Sequence, residues 1–242
     1  MATYLANATL FDGRAVKPRS GVLVSDGRIG WVGPHRRAPR EASSAEAVDA
    51  EGRTVTPGLV DCHVHLCFDG GPDFVAEARI TEPFAAIKGA GNALRQLEAG
   101  VTTVRDLGGI GVAVQEVARA IDEGRIAGPR VVASGRALTI TGGHGWNSFA
   151  RQCDGPDGVR LAVREELRAG ARSIKIVATG GVLTPGVSVR PAPSTVSAAR
   201  ASRGARACAP THWIAPSATR TPARCRTVRP SNSVTPATYV AI

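Results

Sequence analysis

Val48-Asp-Ala-Glu-Gly-Arg-Thr-Val-Thr-Pro-Gly-Leu-Val-Asp-Cys-His-Val-His65 is the stretch on which the fold turns. The extended run 55–66 predicts a strand, and its period of two puts Asp61, His63 and His65 on one side. Val60, Cys62, Val64 and Leu66 take the other. Two imidazoles then point the same way at the end of the strand, and neutral imidazole nitrogens there suit Zn²⁺ at roughly 2.0–2.1 Å. A bare His-x-His is more often an exposed or hydrogen-bonded pair than a metal site, so its surroundings must decide.

Downstream the pattern is strand, loop, helix, strand. Val101–Leu107, Arg130–Ser134 and Ser173–Ala178 predict three further strands. A helix is expected from about Pro83 to Glu98 with Ile87, Ala90, Leu94 and Leu97 on its apolar stripe. Val114, Val117, Ala118 and Ile121 mark a second helix, and Val159, Val163 and Leu167 a third. Gly100 and Gly170 each follow a Leu-x-Ala segment, where glycine permits the left-handed cap that ends a helix. Repeated βα units predict a parallel sheet. Four units are half of a (β/α)₈ barrel, a fold that takes about 250 residues by itself. Upstream, residues 1–53 predict short strands at Thr3–Leu10, Gly21–Ser25 and Arg28–Val32, the last two joined by the hairpin dipeptide Asp26-Gly27.

The Val48–His65 stretch resembles the opening signature of the metal-dependent amidohydrolase superfamily, in which a small β-sandwich hands over to the first barrel strand at Pro-Gly-x-x-Asp-x-His-x-His. The likeness spans roughly residues 1–190 and is strongest to the branch of imidazolonepropionase-like and Xaa-Pro dipeptidase-like enzymes. It implies an α/β chain: a small β-sandwich part at 1–53, then at 54–191 a partial (β/α)₈ TIM barrel of about four βα units. His63 and His65 are then metal ligands. Lys175 stands between Ile174 and Ile176 in a strand otherwise built for burial, where an ammonium is costly. Alone it is most simply a lysine that snorkels to the strand end. The resemblance makes it a lysine carboxylated by CO₂, bridging two divalent ions, Zn²⁺ by expectation. His144, in Thr141-Gly-Gly-His-Gly145, becomes a catalytic residue near substrate, although a loop histidine is more commonly solvated. Arg105-Asp106 matches the family's second-strand pair, with Asp106 expected as an internal ion-pair partner. His35, beside Arg36 and Arg37, is expected to be a solvated surface residue. The implied activity is hydrolysis of a C–N bond in a cyclic amide or peptide-like substrate by metal-activated hydroxide.

Net charge of +10 raises the question of nucleic acid or an anionic membrane. All 20 acidic residues precede residue 192, however, and seven of the 30 Lys and Arg follow it, so the basicity belongs mostly to the tail. Residues 192–242 contain no Leu, Lys or Gln and show no periodicity, the composition of a disordered basic tail or of GC-rich codons read out of frame near codons 186–193. Trp213 and Tyr239 are its only aromatics, so neither a specific nucleic-acid nor a membrane partner is expected. The family's later ligands, two histidines and an aspartate, have no counterparts there. The alternative to a working enzyme is therefore a catalytically inactive fragment, a half barrel with an open edge at Ser173–Ala178. Five scattered cysteines without a Cys-x-x-Cys pair predict ordinary thiols, and no signal-like or bilayer-length apolar run occurs, so a cytoplasmic chain is expected.

Overall fold

Asp26 and Gly27 both take left-handed backbone angles, φ 51° and 72°, as a two-residue hairpin turn with right-handed strand twist requires. The turn joins β2 (Val16–Ser25) to β3 (Arg28–Pro34), and β2 pairs antiparallel with β1 (Ala2–Phe11). The computed structural model describes residues 2–187 with Val240 and Ala241, and divides into two units between Leu59 and Val60.

In the first unit β4 (Glu46–Asp49) and β5 (Thr54–Thr56) pair parallel with successive parts of β1, and Val240–Ala241 beside β5 makes the sheet six-stranded. Alternation along β1 and β2 gives it two apolar faces. Leu5, Ala8, Leu10, Val22, Ala50 and Val55 pack on one, and Tyr4, Leu23 and Ala42 with Trp31 on the other. His35 is not the solvated residue expected: its Nδ1 lies 2.8 Å from the Tyr4 hydroxyl and its ring stacks on the tyrosine, because the short 3₁₀ turn His35–Arg37 folds back onto the sheet.

The expected strand 55–66 is interrupted. Pro57 has no N–H to give a ladder, and the run splits into β5 and β6 (Leu59–Val64). In the second unit β6, β7 (Val101–Asp106) and β8 (Arg130–Ala133) form a sheet in that order, with β7 and β8 parallel from Thr103↔Arg130 to Asp106↔Ala133. After the short α1 (Phe74–Glu77), α2 (Glu82–Glu98) lies between β6 and β7 in sequence, and α3 (Ala113–Asp122) between β7 and β8. Val64, Leu66, Val104 and Val131 from the sheet side meet Ala85, Ala93, Val114 and Val117 from the helices in one core.

The face of α2 differs from the stripe expected. It buries Ala85, Gly89 and Ala93, whereas Ile87 is 68% and Leu94 38% exposed. The reason is close approach. A Cβ on Gly89 would sit 3.3 Å from Val117, so only small residues fit against α3 and the larger ones turn outward. Gly100 and Gly170 end α2 and α4 (Gly155–Arg168) with φ 87° and 97°, as caps of this kind require. On α4 Val159 is buried as expected, Leu167 is half-exposed, and the unforeseen inward residue is Glu166.

Ser173–Ala178 is not the continuous strand expected. It is held by one parallel bridge, Leu138↔Ile176, with Leu138 N–H donating to the Lys175 carbonyl (2.8 Å) and Val177 N–H to that of Leu138 (2.9 Å). Its partner β9 (Ala137–Thr139) has three residues and also pairs with β10 (Ala150–Gln152), which limits how far the ladder extends. The expectations for residues 192–242 lie outside the described residues except at Val240–Ala241. There a two-residue strand, β11, pairs parallel with β5, an addition carried by main-chain bonds that needs no side-chain period.

Candidate active site

His63 lies in β6 and His65 one residue beyond it, with ring centroids 5.4 Å apart and planes at 60°. His65 Nδ1 is 2.8 Å from the Gly108 carbonyl. A carbonyl only accepts, so Nδ1 carries the proton and Nε2 keeps its lone pair. Burial pushes the His65 pKa down and the Gly108 bond opposes it; the positive charges of His63, Lys175 and His144 push it further down. The direction follows burial, and the imidazole is held neutral. His63 is exposed, and its backbone N–H donates to Asp61 Oδ1.

Lys175 is half-buried, and its pKa is lowered first by burial and then by the nearby Arg105 charge. His144 is lowered by burial and then by Lys175. His63, His65, His144 and Lys175 are thus electrostatic neighbours. Phe149 joins the two half-buried imidazoles, its ring centroid 5.1 Å from that of His65 and 5.5 Å from that of His144. His144 sits in the loop between β9 and β10, where Gly142 and Gly145 have positive φ. Its Nδ1 is 3.0 Å from Thr184 Oγ1, which also accepts the Gly145 N–H at 2.8 Å. Gly181 lies so close that a Cβ there would meet the His144 ring at 2.5 Å. With Gly142, Gly143, Val177, Thr179 and Gly180, His144 lines a cavity of about 200 Å³. A larger groove of about 390 Å³, between α2 and α3, contains no histidine.

Asp106 is not the ion-pair partner expected. It is fully buried and accepts the N–H groups of Leu66 (2.7 Å) and Gly108 (3.0 Å), while Arg105 reaches the Cys62 carbonyl at 2.9 Å. Alternation along β7 sends these adjacent side chains to opposite faces. Burial pushes the Asp106 carboxyl up to about 7, against the two backbone bonds. Thr184, Phe149 and Gly108 carried no sequence signal, because their roles depend on loops that meet only in the folded chain. Among the described residues no three His, Cys, Asp or Glu gather closely enough to hold a metal ion. No helix among the described residues is long and apolar enough to cross a membrane.

Residues 54–207 match the Amidohydrolase family, and the chain belongs to it. It is 32% identical over 202 residues to an ochratoxinase of Aspergillus niger, covering 72% of this chain and 41% of that protein. An imidazolonepropionase of Methylobacterium sp. (strain 4-46) is 33% identical over 145 residues, 50% of this chain and 35% of the relative. The crystal structure of a prolidase complexed with N-methylphosphonate-L-proline superposes with a TM-score of 0.69 at 33% identity, over 81% of this chain and 50% of that one. The chain therefore spans half or less of the length of each.

Proposed function

We propose that the chain carries the opening half of a hydrolase of C–N bonds in cyclic amides or peptide-like small molecules. In this reading a β-sandwich part leads into a (β/α)₈ barrel, with His63 and His65 at the mouth of its first strand. The observation that carries it is the tautomer of His65: with Nδ1 committed to Gly108, Nε2 presents a lone pair beside His63. His63, His65 and Lys175 would hold two divalent ions, Zn²⁺ by the chemistry of the donors. Such ions would supply Lewis acidity and lower the pKa of water for attack on an amide carbonyl. Burial and then the Arg105 charge lower the Lys175 pKa, which favours the unprotonated amine that carboxylation needs. That amine would add to CO₂, forming an N–C bond and releasing one proton to solvent, so that its charge changes from zero to negative. His144, held by Thr184, would hydrogen-bond the substrate carbonyl. The names of the relatives, ochratoxinase, imidazolonepropionase and prolidase, support the substrate class.

A second reading, a polypeptide without turnover of its own, is favoured by the donor count among the described residues. One assay separates them. The purified chain, supplied with Zn²⁺ and bicarbonate, is offered Xaa-Pro dipeptides, N-acyl amino acids and cyclic amides. Turnover abolished by chelator and by His65→Ala supports the first reading, and none by a zinc-loaded chain supports the second.

A further inference from the structure

We propose that Asp106 is a positioning residue for His65, setting the tautomer and aim of its imidazole through Gly108. The assignment rests on His65 being a ligand, but its test does not need metal. Three consecutive residues are tied across from β6 to β7. Val64 accepts the Leu107 N–H (3.0 Å), His65 Nδ1 donates to the Gly108 carbonyl (2.8 Å), and the Leu66 N–H donates to Asp106 Oδ2 (2.7 Å). The other Asp106 oxygen takes the Gly108 N–H at 3.0 Å. One carboxylate therefore grips the residue after His65 and also the residue whose carbonyl His65 uses.

Gly108 needs that grip. It has φ 149°, and a Cβ there would lie 2.6 Å from Phe149 and 3.4 Å from His65 Cε1, so only glycine lets its carbonyl come under the imidazole. Glycine is also the residue least able to hold a backbone direction unaided. Anchoring its N–H from a buried carboxylate supplies the direction, and the carbonyl then accepts only from an Nδ1–H imidazole.

The test uses the full chain, ¹⁵N-labelled at histidine and free of metal, with long-range ¹H–¹⁵N correlation spectra reporting the tautomer of His65. The wild type should show the Nδ1–H form alone. Asp106→Asn and Asp106→Ser should each bring in the Nε2–H form, whereas Glu166→Gln, which alters another buried carboxylate, should not. The proposal is overturned if wild-type His65 is Nε2–H or mixed, if a folded Asp106 variant keeps the wild-type tautomer, or if Glu166→Gln shifts it equally. Zinc titration of the same samples tests the ligand role separately, with a loss of about 10- to 100-fold expected for the Asp106 variants. A tautomer shift without loss of affinity would leave the positioning role standing and refute His65 as a ligand.

Discussion

Glu166 and Arg136 offer an asymmetric test of how the second unit is held together. The Glu166 side chain is 1% exposed and that of Arg136 37%; Oε1 accepts from Arg136 Nε at 2.9 Å and Oε2 from the Arg136 backbone N–H at 3.0 Å. Arg136→Met removes the cation and leaves a buried carboxylate with one backbone donor, an uncompensated buried charge that costs about 3–5 kcal/mol. Glu166→Gln keeps an acceptor for the backbone N–H and frees a guanidinium already partly in water, so its loss is nearer about 1–2 kcal/mol, the scale of one hydrogen bond. Urea unfolding at pH 7 measures both, provided the slopes agree. Arg136→Met should have the lower midpoint by a margin equivalent to about 2 kcal/mol, or several degrees in melting temperature for a domain of this size. Equal midpoints, or a lower one for Glu166→Gln, would mean that the carboxylate is not buried as described.

The Asp106 carboxyl, pushed from 3.8 to about 7 by burial, holds a proton in the folded chain that the unfolded chain has already lost between those values. Its contribution to stability is therefore complete below the lower value and is lost as pH rises through the upper one. The wild type should gain stability relative to Asp106→Asn between pH 8 and pH 5, and a constant difference in urea midpoint would contradict this. On α2, Ile87→Gln should change stability by less than about 0.5 kcal/mol. Ala93→Leu should cost about 1–3 kcal/mol by overpacking, and the reverse order would restore the stripe first expected. The nucleotide sequence around codon 190 should, in a neighbouring frame, continue into helices, two further histidines and a late aspartate; if neither frame does, the out-of-frame origin of the tail is wrong.

The sequence revealed elements whose signals are local. Asp26-Gly27 specifies its turn because both residues tolerate positive φ, and the glycines at 100 and 170 mark the helix ends for the same backbone reason. β7 and β8 were legible because each is a short run rich in β-branched residues between helices. Pairings that depend on neighbours were hidden. Ser173–Ala178 has the composition of a buried strand, but the three-residue β9 gives it one bridge. The α2 stripe misled because hydrophobicity alone ranks Ile87 above Gly89, whereas close packing against Val117 selects the smaller residue. In the candidate site, the spacing of His63 and His65 was visible in the chain, but their electrostatic neighbourhood with His144 and Lys175 depends on the fold. The family resemblance implies an ion pair for Asp106, yet its carboxyl turns to the N–H groups of Leu66 and Gly108, on the face opposite Arg105.

The metal-centre reading is tested most directly by isothermal titration of the purified full chain with Zn²⁺ at pH 7.5, beside His63→Ala, His65→Ala and the double variant. A saturable zinc site weakened at least about tenfold by either single change and abolished by both is expected. Isotherms unchanged by loss of both histidines would contradict a metal centre begun at His63 and His65.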